Sequence, residues 1–271
     1  MTTFGGRTPA STWARLVLAA VSILTVGSGA HAQPVGKVPR VGYLSPFSAS
    51  DPDLQNSRDL FLLALRELGY VEGQNVAVEY RWAEGKNERL PRLAAELVYA
   101  KVDVIVATGG VPPAQAAQRA TRTIPIVVAG AVDPVGAGLV ASLARPGGNI
   151  TGSTLIAEAL VGKEIGLLME VVPKVSRLAV LWNPDNPGNA SQLRAAEAIS
   201  GLRLEPVGAR NSAEIEKAFA TMTRQRPDGF VVLLDAIFLG ERERIADLAM
   251  RNRLPAVYGY RLHADDGGLM A

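Results

Sequence analysis

The acidic residue best placed to bind a ligand is Asp235, which directly follows the apolar run 230–234. A carboxylate buried without a partner is unfavourable, so this position indicates a bound cation, a ligand amine or a neighbouring arginine. The alternative role is an N-cap for a helix that begins near Leu239. Asp133 also follows an apolar run, but Pro134 after it makes a helix cap an equally good interpretation.

A glycine turn and several short polar residues follow the other apolar runs. Thr108-Gly109-Gly110 separates a strand pattern from a helix pattern, so its backbone N–H groups suit an anion, a carboxylate rather than a phosphate. A plain turn is the alternative, since the spacing is neither that of a dinucleotide site nor that of a P-loop. Neutral side chains at predicted strand-to-helix junctions suit reversible capture of a small polar ligand, and they are Ser45, Ser48, Thr108, Ser153, Thr154 and Asn183.

Aromatic residues also stand at or just after predicted strand ends, among them Phe47, Trp182 and Tyr258. Such rings stack on other rings, on sugars or on ammonium groups. For each residue alone, packing in a hydrophobic core is the alternative. Together they favour a binding site for a small ligand where the strands end.

The residue types that most enzymes and metal sites use are scarce. The 271 residues include no cysteine and only two histidines, His31 and His263, too few for a histidine-rich metal site and a poor basis for a Ser-His-Asp triad. No base stands beside the candidate hydroxyl groups to activate a nucleophile. We therefore expect a binding protein rather than an enzyme, without metal or cofactor, and with His263 on the surface.

Charge gives no indication of a nucleic-acid partner. The chain has 28 basic and 26 acidic residues, and Arg7 and Arg15 account for the excess, because the first 32 residues contain no acid. A DNA- or RNA-binding protein is expected to concentrate positive charge on one face. We expect no nucleic acid among the partners of this chain.

The N-terminus has the three parts of an export signal. Arg7 and Arg15 precede the apolar run 16–26, and the small-residue site Ala30-His31-Ala32 follows it. The run is shorter than the roughly 20 residues that a membrane-spanning helix needs. We expect cleavage after Ala32, a product in the periplasm and no stable membrane insertion; an uncleaved anchor is the alternative.

Apolar runs and amphipathic segments alternate along the rest of the chain in two blocks, divided near 146–152. Buried apolar strands with intervening helices indicate parallel sheets covered on both faces. We predict an α/β fold of two doubly wound parallel-sheet lobes, 33–150 and 151–266, with a hinge and a ligand cleft between them. One helix is expected from Asp133 through Leu143. Strands are expected at 41–44, 76–80, 102–107, 124–129, 177–182, 202–207, 230–234 and 255–258.

Several segments resemble, in order, those of a known family. They are 67–75 (ELGYVEGQN), 102–107 (VDVIVA), 124–127 (IPIV), 133–135 (DPV), 138–152 (GLVASLARPGGNITG) and 181–184 (LWNP). Together they resemble the ABC-transporter substrate-binding family that includes the tryptophan- and phenylalanine-binding proteins. The resemblance runs from about Pro39 to the C-terminus, and 133–152 is its most specific part.

The resemblance implies a type I periplasmic-binding-protein fold, with the ligand enclosed between two hinged lobes. It also implies a membrane permease and an ATPase as partners of a chain that we expect to be a monomer. An amino acid or aromatic ligand would fit, with Asp235 binding the amine and the regions of Ser45, Thr108 and Ser153 binding the carboxylate. A sensor module for a membrane receptor is the first alternative function, and a periplasmic enzyme is the second.

The sequence departs from the family at three places. Family members often have Ser-Asp-Pro where this chain has residues 234–236 (LDA), and the stretch 260–266 differs from the usual Arg-Glu-Phe type. Relatives continue past 267–271, which we interpret as the start of a return crossing to the first lobe. We therefore expect a C-terminally truncated fold with apolar surface exposed on the first lobe.

Overall fold

A computed structural model describes residues 37–199 and 201–271, so the predicted export signal lies outside the described residues. The described chain forms two lobes, each a parallel sheet with helices packed on both faces. This confirms the predicted α/β class. No helix in these two ranges is long and apolar enough to cross a membrane.

Within the described residues, the first lobe contains five strands and three α-helices. In chain order they are β1 Arg40–Ser45, α1 Pro52–Glu67, β2 Ala77–Trp82, a 3-10 turn Asn87–Arg89, α2 Leu90–Tyr99, β3 Val104–Thr108, α3 Val111–Ala120, β4 Ile126–Val132 and β5 Ile150–Leu155. The strand order is β2-β1-β3-β4-β5. Helices α2 and α3 cover one face of the sheet, and α1 covers the other, where Phe61 packs against Tyr43.

The second lobe contains four strands and six helices. In chain order they are α4 Ala157–Val171, β6 Arg177–Trp182, α5 Pro187–Glu197, β7 Arg203–Gly208, α6 Ser212–Gln225, β8 Gly229–Val232, α7 Ala236–Gly240, α8 Arg242–Arg251, β9 Ala256–Tyr258 and α9 Arg261–Asp265. The strand order is β7-β6-β8-β9. Helices α4 and α5 pack on one face, and α6 and α8 pack on the other.

The chain passes from the first lobe to the second directly after β5. Because β5 pairs with β4, the first sheet extends to Leu155, and the chain leaves that sheet directly before α4. Only glycine fits within this edge strand at Gly152, since its φ is +151° and an added Cβ would lie 2.0 Å from the Val128 carbonyl oxygen. Residues 267–271 return alongside β9, where Tyr258 N–H donates to the Met270 carbonyl oxygen at 3.0 Å.

The helix expected from Asp133 through Leu143 does not form. The segment is a series of turns: one helical bond runs from Ala137 N–H to the Asp133 carbonyl oxygen, Gly138 N–H then donates to the Val135 carbonyl oxygen, and the N–H groups of Leu139 and Val140 both donate to the Pro134 carbonyl oxygen. Asp133 and Gly138 have positive φ values of 45° and 71°, which a right-handed helix does not accept. The Asp133 carboxylate instead accepts a hydrogen bond from Gly136 N–H at 2.8 Å.

His263 is not on the surface, contrary to the expectation from sequence. Its side chain is in the core of the second lobe, 1% exposed, and stacks on the Tyr258 ring with centroids 4.8 Å apart. Burial lowers the pKa of His263 to about 4. Burial of the Glu164 side chain, on α4, raises the pKa of Glu164 to about 7. Compared with the unfolded chain, the folded chain therefore binds a proton less readily at His263 and more readily at Glu164.

His263→Phe should change the pH dependence of stability. The unfolded chain takes up a proton at His263 as pH falls through its ordinary pKa of 6.5, whereas the folded chain does so only near 4. Between about pH 7 and about pH 5, this group therefore lowers the free energy of unfolding of the unmodified chain by about 2 kcal/mol. The variant lacks this contribution. Urea unfolding at the two pH values measures the difference.

Glu164→Gln should change the same profile in the opposite direction. The folded chain holds a proton at Glu164 up to about pH 7, while its ordinary pKa is 4.5, so this group makes the fold more stable as pH falls across that window. Without it, the variant loses more stability on acidification than the unmodified chain. Parallel profiles for the unmodified chain and both variants would contradict the two assignments.

Candidate functional site

A cavity lies between the lobes at the carboxyl ends of their strands, which is where open α/β sheets bind ligands. From the first lobe it is lined by Gly109, Gly110, Val111, Gly130, Val132 and Leu155, and from the second by Asn186, Leu234, Asp235, Ala236 and Tyr260. Its volume is only about 10 Å³, roughly what one water needs. The lobes are therefore closed on each other, and a ligand of amino-acid size enters only if they separate.

Apolar contacts hold the lobes together beside the chain crossing. Val132 and Leu155 of the first lobe pack in one cluster with Ala157, Leu234 and Tyr260 of the second. The contact is tight beyond this cluster too, because an added Cβ at Gly188, at the start of α5, would lie 3.1 Å from the Val132 Cβ atom. The absence of a side chain at position 188 lets α5 approach the end of β4.

Asp235 is the charged group at the cavity. It is 3% exposed, and its carboxylate accepts hydrogen bonds from Asn186 Nδ2 at 2.7 Å, from Asn183 Nδ2 at 3.2 Å and from Ile237 N–H at 2.8 Å. The last bond makes it the N-cap of α7. Burial raises the pKa of Asp235, against the hydrogen bonds, which lower it. All three donors are neutral, so the carboxylate is hydrogen-bonded but its charge is not balanced by them.

A second set of amide side chains fixes the loop that carries Asn183 and Asn186. Asn189 accepts from Asn183 N–H at 2.8 Å and donates to the Leu234 carbonyl oxygen at 2.8 Å. Gln192 accepts from Leu234 N–H at 3.0 Å and donates to its carbonyl oxygen at 3.2 Å. These buried bonds tie the β6–α5 loop to the segment that follows β8, and so fix the position of Asp235.

The first lobe presents the glycine turn and the start of α3 to the cavity. Gly109 and Gly110 have φ values of 79° and 101°, which favour glycine. The first four N–H groups of a helix have no intrahelical partner and carry its positive dipole end. Pro112 and Pro113 lack an N–H group, so the donors left in the first turn of α3 are Val111 and Ala114. This end of the cavity suits one carboxylate.

Phe47 lies against the glycine turn rather than in the cavity lining. An added Cβ at Gly109 would lie 3.1 Å from Phe47 Cε2 and 2.5 Å from Pro46 Cγ. Phe47 and Pro46 therefore pack directly on the turn. The Phe47 N–H donates to Ser45 Oγ at 3.3 Å, so Ser45 orders this loop from a buried position.

The remaining predicted hydroxyl residues bond to backbone groups of the first lobe. Ser153 Oγ accepts from Gly130 N–H at 3.1 Å, and Thr154 Oγ1 donates to the Ala131 carbonyl oxygen at 2.9 Å. Thr108 Oγ1 contacts the Leu44 carbonyl oxygen at 3.5 Å. These residues hold the strand ends that border the cavity, while their own side chains are outside its lining.

Of the predicted aromatic and acidic residues, Trp182, Tyr258 and Asp133 are not brought to the cavity. Trp182 is half-buried against the apolar cluster under α4 and α5, Tyr258 is inside the second lobe, and Asp133 closes its own turn. Among all predicted site residues, Gly109, Gly110 and Asp235 line the cavity, and Asn183 donates a hydrogen bond to Asp235.

Tyr260 is the aromatic residue that the structure places in the cavity lining. Burial and the nearby Asp235 carboxylate raise the pKa of its hydroxyl group. The sequence signal was present, because residues 260–266 depart from the usual family pattern, but that departure did not indicate that Tyr260 would line the same cavity as Asp235. Asn186 was missed as well, because Asn183 was the residue singled out in the loop that follows β6.

Asp235→Asn should destabilise the fold. An amide at this position points its own N–H groups either at the Asn183 and Asn186 donors or at Ile237 N–H, so at least one buried donor loses its acceptor. The expected cost is about 2 kcal/mol, or about 5 °C in Tm. Thermal unfolding of the variant measures it.

Asp133→Asn is the matched control. An asparagine there still accepts the hydrogen bond from Gly136 N–H, and asparagine readily adopts a positive φ. The Tm should therefore change by no more than about 1–2 °C. Equal Tm values for the two variants would contradict the structural role assigned to Asp235.

The chain matches known proteins over most of its length. A family described as ABC transporter substrate binding protein matches residues 47–271. A tyrosine-binding protein of Clostridioides difficile (strain R20291) is 27% identical over 221 residues, which are 80% of this chain and 63% of that protein. The chain thus spans less than two thirds of the length of this relative.

Two solved structures have the same fold. A conserved domain protein from Vibrio cholerae O1 biovar El Tor superposes with a TM-score of 0.78 at 28% identity, covering 86% of this chain and 77% of that one. An ABC domain from Streptococcus pneumonia in complex with L-Trp superposes with a TM-score of 0.75 at 24% identity, covering 87% and 79%. These likenesses confirm the predicted type I periplasmic-binding-protein fold. The chain is a member of the ABC transporter substrate-binding protein family.

Proposed function

We propose that this chain is an exported receptor that binds a small zwitterionic ligand, an amino acid, between its lobes and releases it unchanged to a membrane permease driven by an ATPase. The observation that carries the proposal is the position of the buried Asp235 carboxylate on the second lobe. It lies across the cavity from the glycine turn and the start of α3 on the first lobe.

The two ends of the cavity have opposite electrostatic character. A ligand ammonium group beside Asp235 would supply the positive charge that the neutral donors Asn183, Asn186 and Ile237 do not. A ligand carboxylate would accept from the N–H groups at the glycine turn and the first turn of α3. Because the two groups bind different lobes, the ligand favours the closed form over the open form.

Similar proteins support the ligand class. The C. difficile relative is named for tyrosine binding, and the S. pneumonia structure contains L-Trp. The proposal also includes export through the predicted signal, with cleavage after Ala32. The protein then acts as a monomer in the periplasm and transfers its ligand to permease and ATPase subunits. In this function the protein binds and releases its ligand and makes or breaks no covalent bond.

A thermal-shift screen of L-amino acids and aromatic carboxylic acids tests the proposal. A compound present at about 100 times its Kd stabilises the folded chain by about 2.7 kcal/mol. We expect the compounds that raise Tm to carry both an ammonium and a carboxylate group, with calorimetry giving Kd. If aromatic acids without an amine raise Tm and amino acids do not, Asp235 is not an ammonium site.

Two tyrosines provide a matched test of where the ligand binds. Tyr260→Phe removes a hydroxyl group from the cavity lining, and the loss of one hydrogen bond to the ligand weakens binding about three- to tenfold. Tyr258→Phe removes a hydroxyl group buried in the second lobe without a partner, and should leave Kd unchanged. A larger effect of Tyr258→Phe, measured by calorimetry with the compound found in the screen, would place the ligand elsewhere.

Binding of that amino acid should weaken at low pH. As pH falls through the raised pKa of Asp235, the carboxylate takes up a proton and loses its attraction for the ammonium group. Calorimetry from about pH 7.5 down to the lowest pH at which circular dichroism still shows a folded chain measures the change. A constant Kd over this range would argue against an ionised Asp235 in the bound state.

A further inference from the structure

An ion pair with buried charges joins the two lobes at a distance from the chain crossing. Asp51 belongs to the first lobe and directly precedes α1, and Arg242 opens α8 in the second lobe. Arg242 Nη1 lies 3.3 Å from Asp51 Oδ2, and their side chains are 7% and 14% exposed. This contact is separate from the cavity lining and from the apolar cluster beside the crossing.

Arg242 is oriented by its own lobe. Its Nε atom lies 2.7 Å from Asp266 Oδ2, and its Nη1 group donates to the Leu239 carbonyl oxygen at 3.2 Å. Both partners belong to the second lobe and move with Arg242 when the lobes rotate. Asp51 is therefore the group that approaches or leaves this preoriented guanidinium.

The Asp51–Arg242 contact lies away from the chain crossing, so it responds to lobe closure. The chain crosses between the lobes after β5, at one edge of the first sheet, whereas Asp51 follows β1. Since β3 and β4 separate β1 from β5, three strand spacings of about 4.8 Å put the end of β1, which leads to Asp51, about 14 Å from the end of β5, where the chain crosses. A rotation about the crossing that opens the cavity therefore pulls Asp51 away from Arg242.

We infer that Asp51 and Arg242 form an interlobe latch, a positioning pair that favours the closed form before any ligand binds. In the closed form the two charges attract each other through a medium of low dielectric, and in the open form water hydrates both. Recovered hydration offsets much of the lost attraction, so the pair biases the equilibrium and does not lock it. The latch is a property of the lobes and does not depend on the proposed ligand.

Interlobe distances in the unliganded chain test the latch directly. The chain has no native cysteine, so Lys86→Cys and Ala213→Cys place one spin label on each lobe, both at exposed positions that follow the edge strands β2 and β7. Electron–electron double resonance then reports the open and closed populations without a ligand. Asp51→Asn removes the charge while keeping a side chain that accepts hydrogen bonds and starts helices equally well.

Asp51→Asn should raise the ratio of open to closed form about tenfold. Arg242→Lys keeps the charge but loses the fork that serves Asp51 and Asp266 together, so it should give a smaller shift in the same direction. Asp59→Asn is the matched control, since Asp59 pairs with Arg58 at 2.9 Å within the first lobe, and it should leave the ratio unchanged. If Arg242→Lys does not fold, Asp51→Asn and its control decide the matter.

A distance distribution for Asp51→Asn that superimposes on that of the unmodified chain would overturn the latch. An equal shift for Asp59→Asn would also overturn it, because the effect would then come from loss of any acidic residue near α1. Neither result bears on ligand binding in the cavity, so the latch and the proposed function fail independently.

Discussion

A carboxyl group buried where the two lobes meet is the constraint on which the rest of this structure depends. Asp235 is stabilised by amide donors from one loop and by the start of the helix it caps. Those bonds require a fixed β6–α5 loop, which the buried bonds of Asn189 and Gln192 to Leu234 provide. Much of the polar chemistry of the second lobe thus serves to keep one carboxylate in place.

Parallel sheet geometry explains why this charge faces a helix N-terminus of the other lobe. In both sheets every strand runs in the same direction, so the loops that follow the strands lie at one end of each lobe, where open α/β sheets bind ligands. The crossing after β5 brings these two ends together. The positive end of α3 and the Asp235 carboxylate then border the same small volume, and a molecule with both charges can bridge them.

The sequence was sufficient for the fold because buried parallel strands are apolar runs, and the eight expected strands all form. The strand β5 was missed because its Thr151-Gly152-Ser153-Thr154 stretch is an edge with no such run. Asp235 was found because a charged residue that ends an apolar run has few structural explanations. Tyr258 was misplaced because side chains alternate between sheet faces, so a position at a strand end does not show which way the ring points.

The ammonium site can be tested most directly through the pKa of Asp235, measured by carbon-13 NMR of its carboxyl group with and without a saturating amino acid that binds the chain. The account predicts a value above the ordinary range for the unliganded chain, and a marked fall when a bound ammonium group balances the charge. The same pKa in both states would show that no cation binds beside Asp235 and would contradict the account.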